Sequence, residues 1–361
     1  MNHNTPLSPR PLHHLSDVQR RVLSTAQLRA HGVSTSEINE QCRPGGAWQQ
    51  ILPGVVLLHP GPPTGEERLH AVLKYAARSP LRAAQGIPAQ PAPAGPAGPA
   101  GRDAEAGAAP QRYADPVITG LAALTLHRFS SAPPLLSLEH IDVLVPRLRR
   151  LRSSGCARIV RTSVMPAPEQ ITGFPVAPVA RALADAAREL ADAGAVRGLL
   201  TEAVRGGHCE PAAVVRELTQ ARLLSRPHVV DAVNSLLAEG RAIAEDRLYR
   251  MVRENGLPDP VWNVDLRLPG GPYLGGLDAY WPEQAVALEL DTRTPRPDED
   301  ALGSEYARKR EHLERLGITV VHITPRKLRD AMEQQAAVVR TALMASADRD
   351  PAAYVVVLPR S

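Results

Sequence analysis

Polar and apolar residues alternate strictly over residues 285–291. Val286, Leu288 and Leu290 face one way, and Ala285, Ala287, Glu289 and Asp291 the other. That is the period of a strand. Residues 262–268 and 273–280 also have strand patterns, joined through Pro269, Gly270, Gly271 and Pro272, and Trp281-Pro282-Glu283-Gln284 bends the chain into the alternating stretch. Upstream the period changes. Over residues 242–255, Glu245 shares a helical face with Leu248, Tyr249 and Val252 at i, i+3, i+4 and i+7, and Gly256 and Pro258 end the helix. Downstream, residues 302–316 predict a helix, 318–324 an apolar strand and 325–345 a closing helix.

The N-terminal half is punctuated differently. Residues 17–23 predict a short helix. Ser24-Thr25-Ala26-Gln27 has the form of a capping box and opens a second helix that Gly32 ends, and Ser34-Thr35-Ser36-Glu37 repeats the device. A small hairpin follows, turning at Pro53-Gly54. Three short helices and a hairpin are the plan of a winged helix-turn-helix. Residues 66–78 predict a helix with Leu69, Val72, Leu73 and Ala76 on one side. From 79 to 112 the chain is rich in Pro, Ala and Gly without period, which predicts disorder. Residues 116–129 then read as a helix, 139–146 as a strand, and 176–239 as mostly helical with breaks at Gly206-Gly207 and near Pro227.

Composition narrows the class. A chain of 361 residues can bury two or three cores. Aromatics are only 3%, so those cores must be aliphatic. The 42 basic and 38 acidic residues give +4, so any charge useful to a nucleic acid must be local. Cys42, Cys156 and Cys209 are far apart and form no CxxC pair, which suits a reducing cytoplasm and offers no zinc motif. The first residues lack an apolar core of the signal-peptide kind, and no apolar run approaches the length of a membrane span.

Candidate chemistry gathers at the alternating strand. Glu289 and Asp291 are two residues apart on one face, about 7 Å at strand rise. Asp278, at the end of the preceding strand, can reach the same face if the strands pair. Ala285 and Ala287 leave room there for an approaching group. Clustered hard oxygens suit Mg²⁺ or Mn²⁺, which activate water for phosphodiester hydrolysis. Equally, acids on one face can mark a strand half in water. Glu245, on the core side of its helix, needs a partner or a metal. Basic residues concentrate in two places: Arg147, Arg149, Arg150, Arg152, Arg158 and Arg161, with no acid among them, and the helix bearing Arg308, Lys309 and Arg310. Both could meet phosphates. The would-be recognition helix instead carries Glu37 and Glu40 and no arginine before Arg43, so it suits protein contacts about as well as DNA.

Helix, three strands, helix, strand, helix is the order of the restriction-endonuclease-like α/β core. Residues 242–345 resemble the Vsr-like (very-short-patch-repair-like) domain of unknown function in the PD-(D/E)XK nuclease superfamily. The resemblance rests on Glu245 in AEDRLYRMVRENGLP, Asp278 in GGLDAYWPE, Glu289 and Asp291 in VALELD, and RKREHLERLGITVVHIT. Residues 17–75 resemble the winged-helix domain at the start of AbiEi-type antitoxins, and IDVLVPR and VARALADAA resemble the segment that joins the two. The chain departs from the family after Glu-x-Asp: Thr292, Arg293 and Thr294 replace the usual Gly and His, no His follows until His312, and Asp291 stands where a lysine is usual.

The expected fold class is therefore α/β: a restriction-endonuclease-like C-terminal core (α-β-β-β-α-β-α), an N-terminal winged helix-turn-helix and an α+β middle segment. The expected boundaries are a disordered tail at 1–16, the winged helix at 17–78, the insertion at 79–112, the middle segment at 113–240, the nuclease-like domain at 241–346 and a tail at 347–361. The resemblance implies a metal-dependent DNA endonuclease. In it Asp278 and Glu289 hold Mg²⁺ or Mn²⁺, Asp291 and Glu245 complete the shell or activate water, and Lys309 stands in for the missing lysine. Arg147, Arg149, Arg150, Arg152, Arg308 and Arg310 would contact DNA. The alternative is a non-catalytic antitoxin or transcriptional regulator, with a toxin or other protein partner, that uses a degenerate nuclease fold for binding.

Overall fold

The computed structural model describes residues 21–77, 116–292, 300–347 (backbone only for 300–306) and 354–360. The expected tail at 1–16, the insertion at 79–112, and Arg293 and Thr294 lie outside these residues. The fold is mixed α/β, and the chain divides into two compact units, 1–189 and 190–361.

In the first unit, β1 (Val22–Ser24), β2 (Gln49–Leu52) and β3 (Val55–Leu57) form a small sheet in the order β1-β3-β2. Residues 22 and 23 were expected to end a helix begun at 17; they belong instead to a strand because Val22, Leu23 and Ser24 pair with Leu57, Val56 and Val55. Both serines cap their helices, but the reciprocal bond of a capping box forms only at Ser24, where Gln27 Oε1 accepts from Ser24 N at 3.0 Å. Ser24 Oγ accepts from Gln27 N at 3.1 Å and opens α1 (Thr25–Ala30), and Ser34 Oγ accepts from Glu37 N at 3.1 Å and opens α2 (Thr35–Gln41). Helix α3 (Gly65–Ala76) is buried almost all round, including Glu67, Arg68, His70 and Lys74, rather than along one stripe.

The second sheet of this unit runs β6-β5-β4-β8-β7. Its strands are β4 (Val117–Thr119), β5 (Ile141–Pro146), β6 (Ala157–Thr162), β7 (Glu169–Ile171) and β8 (Phe174–Val176). The helix expected at 116–129 thus begins as a strand, paired on both sides, before α4 (Gly120–Leu126). Helix α5 (Val179–Glu189) lays Val179, Ala182, Leu183 and Ala186 inward.

The second unit opens with α6 (Ala193–Arg205) and α7 (Pro211–Gln220), then α8 (Pro227–Glu254), a helix of 28 residues. The expected start near residue 242, and with it the domain boundary at 240, falls inside α8. Gly240 does not end the helix. A Cβ there would lie 2.6 Å from Pro211 Cγ, so the glycine lets α7 approach.

Strands β9 (Val261–Arg267), β10 (Tyr273–Trp281) and β11 (Val286–Leu290) form an antiparallel meander. After α9 (Asp300–Arg315), β12 (Thr319–Ile323) joins it parallel to β11. The closing helix is broken at Ala331 into α10 (Pro325–Asp330) and α11 (Met332–Ala347). The expected C-terminal tail instead contributes β13 (Val356–Pro359), an edge strand on β9, giving the order β12-β11-β10-β9-β13. Val286, Leu288 and Leu290 pack with Leu248, Met251 and Val252 of α8 and Val339 of α11. Ala287 packs with Leu313 of α9, Ile318 and Tyr280. The room left by the two alanines is taken by the protein's own helix, and β11 is buried on both faces, not half in water.

Candidate functional site

Alternation along β10 breaks at Asp278. Leu277 belongs to the core under α9 and Ala279 to the core under α8 and α11, so the two residues flanking Asp278 serve opposite faces. The carboxylate between them reaches β11, where Oδ2 accepts from Leu290 N at 2.7 Å. This bond sits where the backbone ladder between the strands, recorded from Ala279–Leu288 to Trp281–Val286, gives out. Asp278 and Glu289 thereby meet at one end of the sheet.

They line a cleft of about 400 Å³ together with Asp291, Arg241, Lys309, His322 and Arg360. Asp278 Oδ1 accepts from Arg241 Nη2 at 2.7 Å, and Arg241 Nε donates to Glu245 Oε1, also at 2.7 Å. Lys309 Nζ pairs with Glu289 Oε1 and donates to Gly276 O at 2.7 Å. His322 Nδ1 lies 3.3 Å from Glu289 Oε2, as the register of β11 and β12, Glu289 opposite His322, requires. Lys309 passes over Gly275, whose φ is +143° and whose position has no space for a Cβ without moving that side chain. At the mouth, Tyr273 donates to Asp265 Oδ1 at 3.2 Å, and burial and that carboxylate push the phenol above its usual range.

Of the expected site residues, Asp278, Glu289, Asp291 and Lys309 come together in this cleft. Glu245 does not line it. Half-buried on α8, it reaches the cleft through Arg241, which answers the need for a partner raised by its core-side position. Leu248 and Val252 on the same face are buried, while Tyr249 is 38% exposed. Arg308 and Arg310 are exposed on α9, and Arg310 Nε pairs with Glu314 Oε1 at 2.7 Å.

In the first unit the arginine loop is less basic than its sequence. Arg158 Nη2 donates to Asp142 Oδ2 and Nη1 to Glu189 Oε2, both at 2.6 Å, and Arg161 donates to the carbonyls of Arg149 and Leu151. The balancing acids sit on other elements, so they were invisible within the loop. Arg147, Arg150 and Arg152 are exposed and Arg149 half-buried.

Arg241, His322 and Arg360 were missed. Arg241 had a signal, since it stands four residues before Glu245 and ion-pairs at that spacing; starting the helix at residue 242 excluded it. His322 sits in an apolar strand with nothing local to mark it. Among the described residues, no group of three or more His, Cys, Asp or Glu is arranged to hold a metal ion, and no helix is long and apolar enough to cross a membrane. No protein-family model, curated protein or solved structure matches the chain.

Proposed function

We propose that the protein is a metal-dependent DNA endonuclease-like hydrolase of phosphodiester bonds, with a restriction-endonuclease-like core in its second unit and a winged helix at the start of its first. The observation that carries this reading is the meeting of Asp278, Glu289 and Lys309, from three separate elements, in one cleft. The Asp and Glu lie on neighbouring strands where their backbone ladder gives out, and a lysine from α9 stands in for the one replaced by Asp291. The order helix, three-stranded meander, helix, parallel strand, helix agrees with that core.

The donor set fits Mg²⁺ or Mn²⁺. Asp278 and Glu289 offer hard oxygens, and Mg²⁺ commonly binds through one or two carboxylates while keeping several waters, so a third protein carboxylate is not required. The bound ion would supply a Lewis acid and an activated water. The chain's own residues have separable tasks. Lys309, held by Gly276 O and Glu289, presents a fixed positive charge where a phosphoryl oxygen gathers charge. His322 and Lys309 orient the Glu289 carboxylate. Asp291 stands at the cleft wall beside Glu289, able to accept a proton from water. Arg147, Arg149, Arg150 and Arg152, and Arg308 with Arg310, would meet the backbone of DNA. The three cysteines are unpaired, which suits a cytoplasmic protein.

A second reading, a non-catalytic antitoxin-like or regulatory protein with a protein partner, draws support from one feature: Asp278 and Glu289 are already ion-paired by Arg241 and Lys309. A nicking assay on supercoiled DNA with Mg²⁺ or Mn²⁺ separates the two. The endonuclease reading expects metal-dependent nicking that Glu289→Ala abolishes. DNA binding without nicking in the wild type would sink it and favour the regulator.

A further inference from the structure

Arg241 is bonded to both Glu245 and Asp278, and it uses two different nitrogens to do so. Nε holds Glu245 on its own helix, one turn away, and Nη2 reaches across to Asp278 on β10. The second bond occupies Asp278 Oδ1; Leu290 N already holds Oδ2. Each Asp278 oxygen keeps a second lone pair, but the guanidinium's positive charge stands against Oδ1, where it opposes an approaching cation. Because Nε and Nη2 belong to one planar guanidinium, withdrawing Nη2 from Asp278 also turns Nε out of its present bond to Glu245, and the two bonds are released together.

There is space for that departure. Arg241 lines both the cleft and a second cavity of about 280 Å³, which shares Asp291 and Thr292 with it and is also lined by α6, α7, α8 and the start of α10, with Glu210, Arg247, Arg326 and Arg329 as its other charged residues. The Arg241 side chain is 39% exposed, so it can move without unpacking the core.

We infer that Arg241 is a latch on the ion site: it rests on Asp278 in the free protein and swings off it toward the second cavity when a divalent cation binds. The latch rests on the divalent-ion reading of the cleft proposed above. Its action is competitive. A site open for only a fraction of the time binds with an affinity reduced by that fraction, so a latch closed about nine-tenths of the time weakens binding about tenfold. Glu289 faces a different cation, Lys309, which is tied to Gly276 O as well and is not shared with a second cavity; the gate lies on the Asp278 side.

The experiment is Mn²⁺ binding to metal-free full-length protein, followed by loss of the free-ion electron paramagnetic resonance signal and requiring no activity. The variants are Arg241→Gln, Arg241→Lys and Asp278→Asn. Arg241→Gln is expected to bind Mn²⁺ about tenfold more tightly than wild type. Arg241→Lys, which keeps the charge but cannot fork between two carboxylates, is expected to fall between them and serves if the glutamine variant does not fold. Asp278→Asn should lose the site. If the Arg241 variants bind no more tightly than wild type while Asp278→Asn abolishes binding, the latch is wrong and the ion site stands. If Asp278→Asn binds like wild type, or neither wild type nor the Arg241 variants take up Mn²⁺, the ion site itself is wrong and the latch falls with it.

Discussion

Two charged networks in this molecule use the same residue types and differ in what surrounds them. In the first unit, Asp185 is 2% exposed and accepts from Thr119 Oγ1 at 2.7 Å, from Arg181 and from Arg188. Nearby, Asp142 holds Arg158. Burial raises the Asp142 pKa, against the pull of the arginine. In the second unit, Asp278 and Glu289 are also under a tenth exposed and also ion-paired, yet their partners Arg241, Lys309 and His322 line a cleft open to solvent. A buried network is fixed because breaking any pair strands a charge away from water. At the cleft a departing partner is replaced by solvent, so pairs can be exchanged for an ion or a phosphate. Burial of the acid alone does not separate structural charge from functional charge. Exposure of the partner does not separate them either, since Arg158 and Arg188 are 33% and 35% exposed against 21% for Lys309; a shared cleft lined by acids and partners together does.

The largest expected effect tests the closed side. Asp185→Ala leaves Arg181 and Arg188 without their shared acceptor and should destabilise the first unit by about 3–5 kcal/mol. A urea midpoint matching wild type would refute the closed network. In contrast, Glu289→Gln should change stability little, because its partners face the cleft.

Next is acid sensitivity of the same unit. His70, packed 4.7 Å from the Phe174 ring, has its pKa lowered to about 4 by burial and by Lys74, with Glu67 opposing. A base whose folded pKa lies below its unfolded value is protonated first in the unfolded chain. Its contribution is therefore intact above pH 6.5 and is lost as pH falls from 6.5 toward 4, by at most about 3 kcal/mol. His70→Leu should flatten the melting temperature across that window; an unchanged slope would show that other groups set it. Lys74, lowered by burial to about 8, adds stability as pH rises from about 8 toward 10.5 by the same sign.

Gly275→Ala probes the open side with a smaller cost. The new Cβ would meet Lys309 at a φ that L-residues rarely adopt, for about 1–3 kcal/mol of destabilisation and a displaced ammonium. A crystal structure of the variant with Lys309 still on Glu289 would contradict the packing argument.

The smallest effect on stability is expected where charge is exposed. Replacing Arg149, Arg150 and Arg152 with alanine should leave stability within about 0.5 kcal/mol. If DNA is the ligand, the salt slope of binding should flatten by up to about 3, since Arg158 and Arg161 are engaged within the protein. An unaltered slope would leave the backbone contacts to Arg308 and Arg310.

Local chemistry was enough for much of this. Ser24 and Ser34 announced their helices because a cap bond spans three residues, and the alternation over 285–291 put Glu289 and Asp291 on one face because strand period is local. The meander, the helix after it and the parallel strand were legible for the same reason. What pairing and packing decided was not. Residues 22–24 became a strand through a partner 31–35 positions away, and residues 356–359 closed an edge by pairing with β9. Gly240 was a contact rather than a stop because Pro211 packs on it. The charge balance of the cleft was likewise set in three dimensions. Lys309, His322 and Arg241 each come from a separate element, and an ion pair requires only that two groups be close in space, whatever their separation along the chain.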